Sequence, residues 1–290
     1  MNFSFKTVAL IGKYKTPAIA EPLLRLAAFL AEMGVQVVVD SLTAEHLGKH
    51  PYRVLSLDEM KGAVDLAVVM GGDGTMLNIA RTLTPFGIPL VGVNHGRLGF
   101  LTDLSLGSMQ SSLAAMLQGD FVTEKRMLLS VRVMRKQTEV CRALAFNEMV
   151  VHRSNIGSMI ECEVRIDGEY LYTQRADGLI VSTPTGSTAY ALSSGGPIVH
   201  PALDVMTLVP VCPHTLSNRP IVVSGASEIE ILMHRTGDVH VRFDSHTHFD
   251  LQVHDRLVVS RHDEAVHLLH PVGHSYYHTL REKLLWNKSL

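Results

Sequence analysis

The chain has 290 residues, which favours two domains over one. Its residues are 46% hydrophobic and 19% charged, enough for sizeable cores, and 26 Lys plus Arg against 28 Asp plus Glu give a formal charge of -2. That balance gives no broad electrostatic footprint for nucleic acid or an anionic membrane, although it leaves room for a local basic groove. No stretch approaches the ~18 uninterrupted apolar residues of a membrane span, and the N-terminal "MNFSFKTVALIG" has no secretory cleavage site. The expectation is a soluble, cytoplasmic protein with no nucleic-acid or membrane partner.

In chain order, "TVALIG" (7–12) reads as a buried strand. Residues 18–33 carry Ile19, Leu23, Leu26, Ala27 and Leu30 at helical spacing, with Gly34 as a stop and Pro22 in the first turn. "VQVVVD" (35–40) is the next strand, and Ser41 to Lys61 reads as irregular. Then come the strand "DLAVVM" (65–70), a helix over Thr75–Leu83, the strand "PLVGVN" (89–94) and a helix over Gly107–Gln118. Strands alternating with helices predict a mainly parallel sheet with helices on its faces, an α/β domain over 1–120.

After Phe121 the pattern is mostly strands, rich in β-branched residues: 128–135, 143–153, 159–182, 220–225, 228–234, 238–243 and 256–262. Asp167-Gly168 in "RIDGEY" marks a hairpin turn. A helix over 275–286 closes the chain and is expected to pack back on the first domain, leaving 121–274 as a β-rich domain. Cys141, Cys162 and Cys212 match no metal or redox spacing and read as reduced, buried or half-buried thiols.

"MGGDGT" (70–75) carries the chemistry. Gly71, Gly72 and Gly74 follow the carboxyl end of a strand, where open α/β sheets place their ligands. Glycine there permits φ > 0 and close approach of a ligand. With Thr75, the N–H groups of the loop and helix start form a phosphate cradle. The spacing is neither that of a P-loop nor G-x-G-x-x-G, and by itself it also fits an ordinary strand-to-helix turn. Asp73 is the departure. Among phosphates a carboxylate repels, so it is useful only if it holds a divalent cation or takes a proton from a hydroxyl attacking phosphorus. The loop reads as built for phosphoryl transfer to an alcohol.

"GGDGT" resembles the signature shared by NAD kinases, diacylglycerol and sphingosine kinases and, more distantly, phosphofructokinases. "NHGRLGFLTD" (94–103), "NE" (147–148), "RADGLIVSTPTGSTAYALSSGGPIVHP" (175–201) and "LVPVCPHTLSNRP" (208–220) together resemble the bacterial NAD kinase family, in order and over most of the chain. The resemblance implies an α/β domain followed by a β-rich domain. It implies ATP-dependent phosphorylation of the adenosine ribose 2′-hydroxyl of NAD to give NADP, a homo-oligomer (dimer or tetramer), and a divalent cation, Mg²⁺, that arrives with ATP.

The same resemblance assigns residues. Asp73 is the general base, with Gly74 against NAD. Asn147 and Glu148 contact the NAD adenosine. Arg175 and Asp177 sit around bound NAD, in the same subunit or across a subunit interface. Thr188, Ala189, Tyr190, Ala191, Leu192 and Ser193 line the NAD pocket. Read alone, Asn147-Glu148 fits the solvated face of a strand, Asp177-Gly178 an ordinary turn and Tyr190 a core aromatic.

Nine of the 16 histidines, from His240 to His278, crowd the C-terminal part, and His246 and His248 share one face of a strand, yet no zinc motif accompanies them and no dedicated protein metal site is expected. "DSH" (244–246) departs from the family's D-G-Q or D-S-Q, so no role is carried to it, nor to Ser158. Two other functions compete. A lipid kinase needs an apolar entry and a membrane-facing surface, and the sequence offers neither a basic amphipathic helix nor a lipidation motif; a non-enzymatic NAD or NADP sensor has no need of Asp73.

Overall fold

The computed structural model describes residues 4–96, 98–153, 159–235, 238–244 and 247–286. The chain forms two compact units, one running to Lys125 and resuming at Val266, the other spanning Arg126–Ala265.

The first unit opens with β1 (Thr7–Gly12), α1 (Ala20–Glu32), β2 (Gln36–Asp40), α2 (Ser41–Ala44), β3 (Arg53–Leu55), β4 (Leu66–Gly71), α3 (Asp73–Leu83), β5 (Leu90–Asn94), β6 (Leu104–Ser105), α4 (Met109–Leu117) and β7 (Phe121–Arg126). Every residue of β4 and β5 is buried. Helices on both faces of a parallel sheet account for such unbroken apolar strands. One core layer joins Leu10, Val68 and Val93 of the sheet to Leu23, Leu26 and Leu30 of α1 and to Met109 and Leu113 of α4. Pro22 occupies the third position of α1, within the first turn.

The second unit contains β8 (Leu129–Arg135), β9 (Thr138–Ala145), β10 (Glu148–Arg153), β11 (Ile160–Ile166), β12 (Glu169–Ala176), β13 (Gly178–Ser182), the short α5 (Tyr190–Ser193), β14 (Val205–Val211), β15 (Ile221–Ser224), β16 (Ile229–Arg235), β17 (Val239–Phe243), β18 (Thr247–Asp250) and β19 (Arg256–Arg261). They form two six-stranded sheets, β15-β14-β13-β10-β17-β18 and β12-β11-β16-β19-β8-β9. Val131, Val164, Ile231 and Leu257 of one and Met149, Leu179, Leu208 and Val241 of the other share one core. The β11–β12 hairpin turns at Asp167 (φ 53) and Gly168 (φ 82), both left-handed, as a two-residue turn between strands requires.

Residues 143–153 form two strands rather than the single one expected. β9 ends at Ala145, β10 starts at Glu148, and the two lie in different sheets. The break at Phe146-Asn147 is where candidate site residues sit. Cys162 is buried, Cys141 is half-buried, and Cys212 is exposed rather than buried; all three are free.

The chain then returns to the first unit with β20 (Val266–Pro271) and α6 (Tyr276–Leu284). The first sheet has the order β3-β2-β1-β4-β5-β20-β7, with β6 on β5, and β20 lies parallel to β5 with Leu268 opposite Leu90. Boundaries at 120 and 274 cut through this sheet. Nothing local in β7 or β20 distinguishes them from the antiparallel strands of the second unit; only their partners do.

Candidate active site

In the first unit, the strand order runs β1, β2, β3 to one side and β4, β5 to the other. The crevice at the carboxyl ends of β1 and β4 is therefore the switch point at which such sheets bind ligands. β4 ends there at Gly71, opposite Asn94 of β5, and α3 starts two residues later at Asp73. A cavity of about 430 Å³ lies beside the end of β5, lined by Asn94, His95, Gly96, Asp103 and Ser105.

The glycines serve differently from the expectation. None of Gly71, Gly72 and Gly74 adopts a positive φ, and Gly72 is extended at φ -118, ψ -175. Gly71 is required by packing, since a Cβ there would lie 2.7 Å from Thr75 Oγ1. The Thr75 N–H donates to Gly72 O at 3.0 Å, which closes the turn. At Gly72 and Gly74 a Cβ would meet nothing within 4 Å, so this side of the loop is open.

The Asp73 carboxylate is fixed by the segment after β5. Phe100 N–H donates to Oδ2 and Leu101 N–H to Oδ1, each at 2.9 Å. Gly99 brings that segment in, because a Cβ on Gly99 would sit 2.2 Å from Asp73 Oδ1 and 2.3 Å from Thr102 Oγ1. Each oxygen accepts one N–H and retains a further lone pair.

In the second unit, the break between β9 and β10 is organised by Asp244. Its buried carboxylate accepts from Phe146 N and Asn147 N at 2.8 Å and from Glu148 N at 3.1 Å, and its own N–H donates to Glu148 O at 3.1 Å. Glu148 is 4% exposed, which rules out the solvated-face reading, and its Oε2 has no hydrogen-bond partner. Burial first, and the neighbouring Asp244 carboxylate second, push the Glu148 carboxyl up to about 8. A buried carboxyl with an unused oxygen has unmet hydrogen-bonding capacity that a ligand hydroxyl satisfies.

The stretch after β13 is knitted to the same break. Thr183 N–H donates to Asn147 O at 2.9 Å and Thr183 Oγ1 to Phe146 O at 2.7 Å. Gly186 packs on that carbonyl, where a Cβ would lie 2.2 Å from Asn147 O. Ser187 is fully buried and bonds to Pro184 O and Val199 N. From this anchor the chain continues through Thr188 and Ala189 into α5. Ala191 is buried, whereas Tyr190 is 43% exposed and therefore no core aromatic.

Arg175 and Asp177 lie elsewhere in this unit. In the β10–β13 pairing Glu148 is opposite Ser182 and His152 opposite Gly178, so Asp177 is at the far end of β13, roughly 17 Å along the strand at about 3.3 Å per residue. Asp177 pairs with Arg153 at 2.9 Å, and Arg175 with Glu161 at 2.7 Å. The unit thus gathers Asn147, Glu148 and the approach to 188–193 and leaves Arg175 and Asp177 apart. Ser158, Ser245 and His246 lie outside the described residues.

Residues 8–121 match the ATP-NAD kinase N-terminal domain and residues 146–270 the ATP-NAD kinase C-terminal domain. An NAD kinase from Nitrosomonas eutropha is 58% identical over 286 residues, covering 99% of this chain and 97% of its own. The chain belongs to the NAD kinase family. Among solved structures, yeast NADH kinase complexed with NADH superposes with a TM-score of 0.90 at 26% identity, over 98% of this chain and 89% of its own. An NAD kinase from Archaeoglobus fulgidus in complex with ATP gives 0.73, also at 26% identity, over 96% and 98%. The NAD kinase motifs pointed to Asp73 and Glu148 but not to the residues that hold them. Gly99 stood unremarked inside "NHGRLGFLTD". Asp244 was set aside because its neighbours depart from the family pattern, although a carboxylate in a strand-ending "FDSH" was a signal for a turn.

Proposed function

We propose that Asp73 is the general base of a 2′-hydroxyl phosphorylation, with Asn147, Glu148 and residues 188–193 holding the adenosine end of NAD. Membership of the family gives the overall reaction: the chain uses ATP to phosphorylate NAD to NADP. The observation that carries the assignment of Asp73 is its carboxylate, gripped by two backbone N–H groups beside glycines whose outer faces are open. A base so held pays no reorganisation when a hydroxyl is delivered to it. In the second unit, the unused Oε2 of Glu148 accepts a ribose hydroxyl, and the exposed Tyr190 offers a flat face to the base.

The residues present fit a cation that arrives with the donor nucleotide. The open glycine edge leaves room for a hydrated triphosphate, and Asp73 is the loop's single carboxylate for one of its waters. Mg²⁺ suits this mode, since it keeps several waters, and when bound it neutralises charge on the transferred phosphoryl group.

Arg175 and Asp177, far along the strand from Glu148, are assigned to the NAD of a neighbouring subunit, which makes the working form a homo-oligomer. The unpaired cysteines suit a reducing cytoplasm. An acceptor series tests the reading. With ATP and Mg²⁺, mass spectrometry is expected to show NAD phosphorylated well, AMP poorly and 2′-deoxy-NAD not at all. A phosphorylated 2′-deoxy product would show the attacking oxygen to be misassigned.

A further inference from the structure

We propose that Asp103, His270 and His274 form a site for one divalent transition-metal ion, zinc by its donor set, which fastens the C-terminal strand and helix to the segment that holds Asp73. The site lies wholly within the first unit. It is distinct from the cation carried by ATP.

The donors already converge. His270 Nδ1 is 3.0 Å and His274 Nδ1 3.1 Å from Asp103 Oδ2, and the three ligand atoms lie within 4.8 Å of one another. Zinc with bonds of about 2.0–2.1 Å at tetrahedral angles holds its ligand atoms about 3.3 Å apart. The two histidine-to-Asp103 separations fall a few tenths of an ångström short of that spacing. The two imidazoles are stacked, 4.0 Å between centroids and 13° from parallel, with both Nδ1 atoms on the same Asp103 oxygen, so binding one ion tilts the rings toward each other.

Two further observations point to a ligand. Asp103 Oδ1 is buried and has no hydrogen-bond partner. His270 Nε2 lies 3.1 Å from Glu124 Oε2. A metal-ligating histidine almost always gives its other ring nitrogen to a carboxylate or carbonyl, which fixes the tautomer and raises the basicity of the ligating nitrogen. A divalent ion also balances the charge, as two carboxylates and two neutral imidazoles carry -2 between them. Asp103 also lines the cavity beside β5, which gives an entry path and an open fourth position for water.

The placement gives the site its role. Asp103 follows Phe100 and Leu101, whose N–H groups hold Asp73. His270 is in β20, and His274 precedes Ser275, the N-cap of α6. The ion would tie an end of the chain to the support of the base.

The full chain, chelator-treated and free of nucleotide, is titrated with Co²⁺ and Zn²⁺. One ion per chain by elemental analysis is expected, with a ligand-field absorption of tetrahedral or five-coordinate Co²⁺ and a thermal midpoint raised by about 4 °C at a hundredfold excess over Kd. His274→Ala is expected to abolish all three while keeping the circular dichroism and NAD phosphorylation of the parent. Asp103→Asn, which keeps the shape of the side chain, is expected to weaken binding at least tenfold. Binding that is equal in the parent and in His274→Ala, or absent from the parent, overturns the proposal and leaves a metal-free ion cluster.

Discussion

Asp73 and Gly99 are packed so closely that a methyl group on Gly99 would lie 2.2 Å from Asp73 Oδ1. The glycine is there to let the Phe100 and Leu101 N–H groups reach the carboxylate. Gly99→Ala is therefore expected to displace Asp73 without unfolding the chain. A shift of about 1 Å in a catalytic group costs on the order of 10²-fold in rate. Steady-state kinetics is expected to show that loss in kcat, with circular dichroism unchanged.

Asp244 is the corresponding support in the second unit. It sits at φ 47, a conformation that Asn tolerates, so Asp244→Asn isolates the hydrogen bonds from the backbone. The amide keeps one acceptor oxygen and loses the bond to Phe146 N or to the pair at Asn147 and Glu148. Leaving a buried N–H unmet costs about 1–3 kcal/mol. Urea unfolding is expected to show a loss of that size and calorimetry a weaker affinity for NAD. Unchanged affinity would detach this break from the NAD site.

The contrast between these supports and the groups they hold explains what the sequence made legible. β1, β4 and β5 were readable because strands buried on both faces are apolar throughout, and α1 because its face repeats at helical spacing. Asp73 was readable because a carboxylate among glycines is anomalous. Gly99, Asp244 and the Asp103–His270–His274 cluster were not, since each acts on a residue far away in the chain: Asp244 is 98 positions from Phe146, and His270 is 167 from Asp103. The division of 143–153 into two strands has the same origin. Its local pattern is continuous, and the break is imposed by Asp244 and by two different sheets.

Glu148 is expected to make NAD binding pH-dependent. Its folded value of about 8 lies above the ordinary 4.5, so the fold favours the protonated form. The free chain therefore loses stability as pH rises from about 4.5 to 8 and is level above that. A carboxylate that accepts a ribose hydroxyl must shed that proton on binding. NAD affinity is expected to rise up to about tenfold per pH unit below 8 and to plateau above it. Glu148→Gln is expected to flatten the profile at the weak, low-pH level. Calorimetry at several pH values reads both.

The placement of Arg175 and Asp177 predicts complementation between subunits. Asp73→Asn and Asp177→Asn, each weak alone, are expected to regain activity when co-expressed as mixed oligomers, up to about half of the parent in a dimer, because one site then escapes both changes. Activity no greater than the average of the two variants returns Asp177 to the pairing with Arg153 as its whole role.

Kinetics of Asp73→Asn, measured together with NAD binding, decides whether Asp73 removes the proton from the attacking hydroxyl. The asparagine keeps the size of the side chain and one acceptor oxygen for the Phe100 and Leu101 N–H groups. A kcat for NADP formation lower by about 10²–10⁴-fold, the usual value of a general base, is expected, with an NAD dissociation constant within a few-fold of the parent's. A variant that turns over at nearly the parent's rate, or one that loses NAD binding in proportion to its rate, contradicts it.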